Sequence, residues 1–89
     1  MTRDLEVDMK NKSRLADTRM IPAFKGNKWR FVRTKRGEQY CVEWLLLTKK
    51  QVVELLCYRF DEYGEMFSVR LKPEEVQDMS EISELLSLN

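Results

Sequence analysis

The alternation of apolar and polar residues predicts four β-strands arranged as two hairpins. The four segments are residues 29–34, 39–47, 52–60 and 65–71. Apolar side chains recur in them at every second position, the spacing that places side chains on one face of a strand. The linkers 35–38 and 61–64 are polar and contain glycine, as hairpin loops do, and the short linker 48–51 predicts a third turn.

The pairing within the first hairpin follows from keeping its apolar side chains together. A four-residue loop places five of them on one face: Trp29, Phe31, Tyr40, Val42 and Trp44. A three-residue loop mixes this set with charged residues, so we predict the four-residue loop, with Arg30 opposite Glu43. The same rule predicts a four-residue loop at 61–64. The other face of the sheet then carries Arg30, Val32, Thr34, Cys41, Glu43, Cys57, Arg59, Ser68 and Arg70.

Residues 48–63 leave an alternative open. Thr48 and Gln51 have the spacing of a helix capping box, and the apolar residues of 52–60 also fit one helix face that would end before Gly64. The β-branched and aromatic residues of 52–60 favour a strand instead. We predict the strand, with the element order ββαβα as the alternative.

The apolar period changes to that of a helix near the C-terminus. Five apolar residues form one stripe: Val76, Met79, Ile82, Leu85 and Leu86. Pro73 suits the first position of a helix, and Glu74 and Glu75 complement the positive end of its dipole. Ser80 and Ser83 are points at which this helix would divide into two.

These elements predict an α+β fold, a four-stranded antiparallel β-meander packed by a C-terminal helix. At 89 residues the chain is long enough for one small domain, which we assign to residues 23–89. Residues 1–22 are polar and of mixed charge, and we predict that they form a flexible arm.

Charge is distributed unevenly along the chain and narrows the set of functions. Residues 1–36 hold eleven Lys and Arg against four Asp and Glu, whereas residues 37–89 hold five against eleven, although the net charge of the whole chain is only +1. There is no histidine, so the commonest general base and metal ligand is missing. We therefore expect no enzymatic activity, no metal and no cofactor. Cys41 and Cys57 are expected to be reduced thiols in a cytoplasmic protein.

Basic residues interleaved with aromatic residues make the first hairpin the main candidate site. Cations that follow a phosphate backbone, next to rings on which bases stack, are typical of single-stranded DNA or RNA binding. The candidate nucleic-acid-binding residues are Lys25, Lys28, Arg30, Arg33, Lys35 and Arg36. The aromatic residues themselves are expected to lie in the core beneath the helix.

A non-enzymatic regulator, adaptor or inhibitor that binds a larger protein, and no nucleic acid, is the alternative function. The acidic helix is its candidate surface, and the residues are Glu74, Glu75, Asp78 and Glu81. A homodimer is compatible with both functions. No apolar run approaches the roughly 18 residues that a membrane-spanning helix needs, so no membrane partner is expected.

Overall fold

A computed structural model describes residues 18–88 of the chain. Their elements are β1 (Thr18–Pro22), β2 (Arg30–Arg33), β3 (Gln39–Thr48), β4 (Gln51–Phe60), β5 (Met66–Leu71), a 3₁₀ turn (Pro73–Glu75) and the helix α1 (Ser80–Ser87). The fold is α+β: all five strands are antiparallel and form one sheet, and the helix follows them at the C-terminal end. The predicted fold class is confirmed.

The strand β3 has two partners on the same edge. β1 pairs with its C-terminal half and β2 with its N-terminal half, while β4 and then β5 follow on the other side. Pro22 lies opposite Trp44, and Arg30 lies opposite Val42. The chain between β1 and β2 therefore leaves the sheet after Pro22 and rejoins it at Arg30, only two residues further along β3. Of the predicted flexible arm, residues 18–22 are thus an edge strand, and residues 1–17 lie outside the described part of the chain.

The helical alternative for residues 48–63 is wrong, because Gln51–Phe60 is a ten-residue strand. The turn between β3 and β4 consists of two residues, Lys49 and Lys50, with φ of 53° and 67°. Both residues are left-handed, which is the geometry of a tight hairpin turn whose twist matches that of the strands. β-branched residues at the start of β4 then continue the ladder.

The predicted register of both long hairpins is wrong by one residue. Arg30 faces Val42 rather than Glu43, and Phe60 faces Met66 rather than Glu65. The cause is the loop at each hairpin: Gly37 and Gly64 have φ of 92° and 81°, so each closes a three-residue loop as its left-handed last residue.

Hydrogen bonds fix these three-residue loops. The N–H of Thr34 donates to the carbonyl of Glu38 at 2.7 Å, and the N–H of Asp61 donates to the carbonyl of Glu65 at 2.9 Å. The Asp61 carboxylate also accepts hydrogen bonds from the N–H groups of Tyr63 and Glu65, both at 2.8 Å.

A β-bulge in β3 changes which side chains point to each face of the sheet. The pairing with β4 shifts between Val42 and Trp44, so the extra residue Glu43 reverses the alternation. Val42 and Leu45 therefore both point to the covered face of the sheet, although they are three positions apart. Both are fully buried, which stabilises the fold by about 1.5–3 kcal/mol for each side chain.

The C-terminal segment covers one face of the sheet. Ile82 and Leu85 of α1 are fully buried against the sheet core. The segment predicted as a helix from Pro73 is divided: a 3₁₀ turn ends at Glu75 and α1 begins at Ser80, one of the two serines at which a division was expected. Val76, between the two, forms a bridge to Thr34, which extends β2 and explains why the helix is interrupted.

Candidate nucleic-acid interface

The register of β2 decides which side chains are available to a ligand. Residues directly opposite in an antiparallel ladder share a face, so Phe31 lies on the face of Cys41 and Tyr58, away from α1. We call this the open face, because residues 18–88 leave it uncovered. Trp29 and Phe31 are 45% and 44% exposed there. The expectation that they belong to the core is wrong.

Four aromatic rings surround a cleft at one end of the open face. The cleft has a volume of about 460 Å³ and is lined by Trp29, Phe31, Tyr58 and Phe60, together with Gln39, Tyr40, Cys41 and Arg59. None of these eight residues is acidic. The apolar pattern of the sequence does not predict that these rings are available, and the signal that does so is Gly37 at the third loop position.

The rings at this cleft are held by defined contacts. Phe24 packs on Trp29 with ring centroids 4.7 Å apart, and Tyr58 meets Phe60 edge to face at 6.0 Å. On the covered face, the Arg59 guanidinium lies 5.4 Å from the centroid of the Tyr40 ring, a cation–π contact. A hydrogen bond with Cys41, followed by burial and nearby negative charge, raises the pKa of Tyr58, so its phenol stays neutral near pH 7.

Three of the predicted cations lie at the end of β2: Arg33 is in the strand, and Lys35 and Arg36 are in the loop that follows it. Arg33 follows Phe31 on the same face, and its guanidinium donates to the Gly37 carbonyl at 3.1 Å. Lys35 and Arg36 occupy the loop and are exposed, and the Arg36 side chain is 83% accessible, 3.4 Å from a Glu38 carboxylate oxygen. Three of the predicted cations therefore come together at this end.

The other end of β2 carries Lys25 and Lys28. They lie in residues 23–29, the excursion of the chain between β1 and β2. They pair across a tight turn formed by Gly26 and Asn27, with φ of 65° and 57°. The Lys28 ammonium is 3.5 Å from a Glu84 carboxylate oxygen. These two lysines are separated from the loop cations by the length of β2, roughly 13 Å for four residues.

Arg30 lies inside the molecule, so it is not part of any surface patch. It is only 1% exposed and lies on the covered face. One guanidinium nitrogen donates to the carbonyls of Lys28 at 3.1 Å and Lys25 at 3.4 Å, and the other lies 3.7 Å from Glu84. Its contacts are those of a structural residue that ties the excursion to α1.

The four candidate acidic residues border the same strand and loop as the cations, and three of them bind the protein's own backbone. Glu74 and Glu75 line a cavity with Lys35 and Arg36, and Asp78 and Glu81 line another with Phe31 and Arg33. Glu75 accepts from the N–H of Lys72 at 2.9 Å, and Asp78 from that of Ser80 at 2.9 Å. Glu81 accepts from the N–H of Phe31 at 2.7 Å, and Glu74 is exposed. Binding of a protein partner by these residues stays a prediction.

Charge is separated between the two layers. Residues 18–71, which form the sheet, carry eleven Lys and Arg against six Asp and Glu, whereas residues 72–88 carry one against five. Within residues 18–88, no three Cys, Asp or Glu side chains are grouped so that they could hold a metal ion. No helix in this part of the chain is long and apolar enough to span a bilayer.

Comparisons of the chain with protein families, with curated proteins and with solved structures found no match. The functional assignment therefore depends on the geometry of the described residues.

Proposed function

We propose that this protein binds single-stranded nucleic acid through the aromatic cleft and the cations of the β2–β3 loop. The observation that carries the proposal is that three exposed aromatic residues, Trp29, Phe31 and Phe60, line one cleft with the half-buried Tyr58, and no acidic side chain is in its lining. Such rings accept any base by stacking, at about 1–3 kcal/mol per base.

The loop cations supply the electrostatic part of the binding. A phosphate backbone whose bases enter the cleft would pass the end of β2 and the loop after it. The cations there are Arg33, Lys35 and Arg36. With about three phosphate contacts to a single strand, affinity falls roughly 20-fold between about 50 and 200 mM salt.

The test is fluorescence anisotropy of a labelled single-stranded oligonucleotide, titrated with wild type and with two charge-reversal pairs. Arg33→Glu with Arg36→Glu removes the cations beside the cleft. Lys49→Glu with Lys50→Glu changes net charge equally, but at the β3–β4 turn. We expect at least tenfold weaker binding for the first pair and less than about threefold for the second, because a screened charge acts mainly within about 10 Å.

Phe31→Ala tests stacking separately from charge, with Val53→Ala as its control. Both side chains are exposed to a similar extent, 44% and 42%, so both variants should remain folded. Loss of one stacked base predicts at least about fivefold weaker binding for Phe31→Ala alone. Equal weakening by both charge pairs, or no binding at low salt, contradicts the proposal.

A specific observation favours protein binding as the second candidate. Met20 and Trp44, at the other end of the open face, are 51% and 37% exposed, beside the half-buried Leu46 and Leu56. Exposed apolar patches of this kind often mark contacts with proteins. A defined protein that co-purifies with wild type, and is lost with Trp44→Ala, would support this candidate.

A further inference from the structure

The outer edge of β5 presents unpaired backbone groups. The hydrogen bond from Asp61 N–H to the Glu65 carbonyl sets the alternation of the β4–β5 ladder. In this alternation, Phe67 and Val69 direct their N–H and C=O groups to β4. Met66, Ser68 and Arg70 direct their N–H and C=O groups outward. No strand among residues 18–88 lies on that outer side of β5.

The opposite edge of the sheet is covered by the chain itself. The N–H of Phe31 donates to Glu81 at 2.7 Å, that of Gln77 to the Arg33 carbonyl at 2.8 Å, and that of Lys35 to the Glu75 carbonyl at 2.9 Å. β1, further along, is short and ends in Pro22, which has no N–H. Both features protect an edge from pairing with another strand.

β5 has none of these protective features. Its six residues include no proline and no lysine, and its pairing with β4 runs without a bulge. Met66 and Phe67 are 59% and 46% exposed. A regular edge strand with exposed apolar side chains is a template for an added strand.

We propose that β5 pairs antiparallel with β5 of a second copy of this chain, around a two-fold axis at Ser68. This register pairs all three outward-facing residues of β5, Met66, Ser68 and Arg70, with outward-facing residues of the second copy, and it places Ser68 opposite Ser68. The sheets of the two copies then form one continuous sheet, with a self-complementary contact as two-fold symmetry requires.

The side chains are complementary in this register. Phe67 lies opposite Val69 of the second copy, an aromatic and β-branched pair that stabilises antiparallel ladders. Arg70 lies opposite Met66 of the second copy, so equal charges do not meet, and the small Ser68 occupies the axis. This complementarity within six residues identifies a second copy, rather than an unrelated peptide, as the partner.

The first test is sedimentation equilibrium of the full chain from about 1 to 200 µM, a range that covers the affinity of weak to moderate dimers. We expect a dimer for wild type and at least tenfold weaker association for Ser68→Lys, because two like charges would meet at the axis. Ser83→Lys, an exposed serine of α1, is the matched control and should dimerise as wild type does.

Amide hydrogen exchange followed by NMR tests the register. The amides of Met66, Ser68 and Arg70 should gain protection as the dimer forms, because they become its hydrogen-bond donors. A monomer at 200 µM, a dimer that Ser68→Lys leaves intact, or a dimer without protection at these three amides would each overturn the proposal. Ser68→Pro removes one outward N–H without touching the β4 ladder and should also be monomeric.

Discussion

Arg30 and Arg33 show how two identical residues in one strand serve different purposes. They lie three positions apart in β2 and therefore on opposite faces of the sheet. Arg30 is buried against backbone carbonyls and Glu84, whereas Arg33 is exposed on the open face beside the cleft. Replacing Arg30 should therefore lower stability, and replacing Arg33 should weaken binding.

Replacing each arginine by methionine tests this separation. Arg30→Met removes the buried guanidinium that donates to the carbonyls of Lys25 and Lys28, so we expect a loss of about 1–3 kcal/mol in the free energy of unfolding. Arg33→Met should change stability by less than about 0.5 kcal/mol, as exposed substitutions usually do. Urea denaturation gives both values, and equal losses would contradict the assignment. In the anisotropy assay the order should reverse, with the larger effect from Arg33→Met.

Cys57 gives the fold a predictable sensitivity to alkaline pH. Burial, and the charge of nearby Cys41, raise the pKa of its thiol from 9.0 to about 12. Above pH 9 the unfolded chain releases this proton while the folded chain retains it, so deprotonation favours unfolding. The stabilising effect is complete below pH 9 and is lost between about pH 9 and 12.

The measurement is the urea midpoint of wild type and of Cys57→Val at pH 8, 9 and 10. Valine cannot titrate, so the wild type should lose stability more steeply than the variant above pH 9. Parallel pH profiles would show that Cys57 does not cause the loss. Cys41 and Cys57 are both free, and their ladder partners place them on opposite faces, so a disulfide between them does not complicate the comparison.

At the scale of the element, the β3–β4 hairpin carries strain at its turn. Lys49 and Lys50 are both left-handed, a conformation that costs residues other than glycine about 1 kcal/mol each. Asparagine followed by glycine is the pair that this turn prefers.

Lys49→Asn with Lys50→Gly should therefore stabilise the protein by about 1–2 kcal/mol. Lys49→Gln with Lys50→Gln is the control, because it removes the same two charges and keeps the unfavourable backbone angles. Thermal and urea unfolding of both variants would measure the difference. If the two pairs stabilise equally, charge repulsion rather than backbone strain limits this turn.

The sequence alone predicts the positions of the strands better than the pairing between them. Alternation located β3, β4 and β5 within a residue or two, and Pro73 marked the start of the C-terminal segment. Alternation could not predict the register, because it predicts an exposed Arg30 and a buried Phe31. In the structure Arg30 is buried and Phe31 is exposed. A buried arginine that bonds to carbonyls and lies beside a carboxylate leaves no trace in a hydropathy pattern, and neither does the bulge at Glu43.

The candidate site was predicted only in part for the same reason. The sequence identified Arg33, Lys35 and Arg36 as exposed cations near aromatic residues. It could not show that Tyr58 joins them, because that contact depends on the pairing of β4 with β3 across a long sequence separation.

At the scale of the whole molecule, one short helix covers the core. α1 has eight residues, too few to be stable alone, so its apolar side chains both hold it in place and close the core. Ile82→Ala should cost about 2–5 kcal/mol, a large part of the 5–15 kcal/mol available to a small domain. Leu88→Ala, at a position 51% exposed, should cost less than about 1 kcal/mol and serves as the control.

Thermal unfolding by circular dichroism would measure both variants. Similar losses for the two would mean that α1 does not close the core as its buried residues indicate.

The placement of Trp29 and Trp44 on the open face has a spectroscopic consequence. They are the only two tryptophans of the chain, at opposite ends of that face, and each is partly exposed to water. The intrinsic fluorescence of the folded protein therefore originates from this surface. A ligand that stacks in the cleft should quench Trp29 alone, and a protein that covers the far end should shift the emission of Trp44 to the blue. Single Trp→Phe variants would assign each signal without any attached dye.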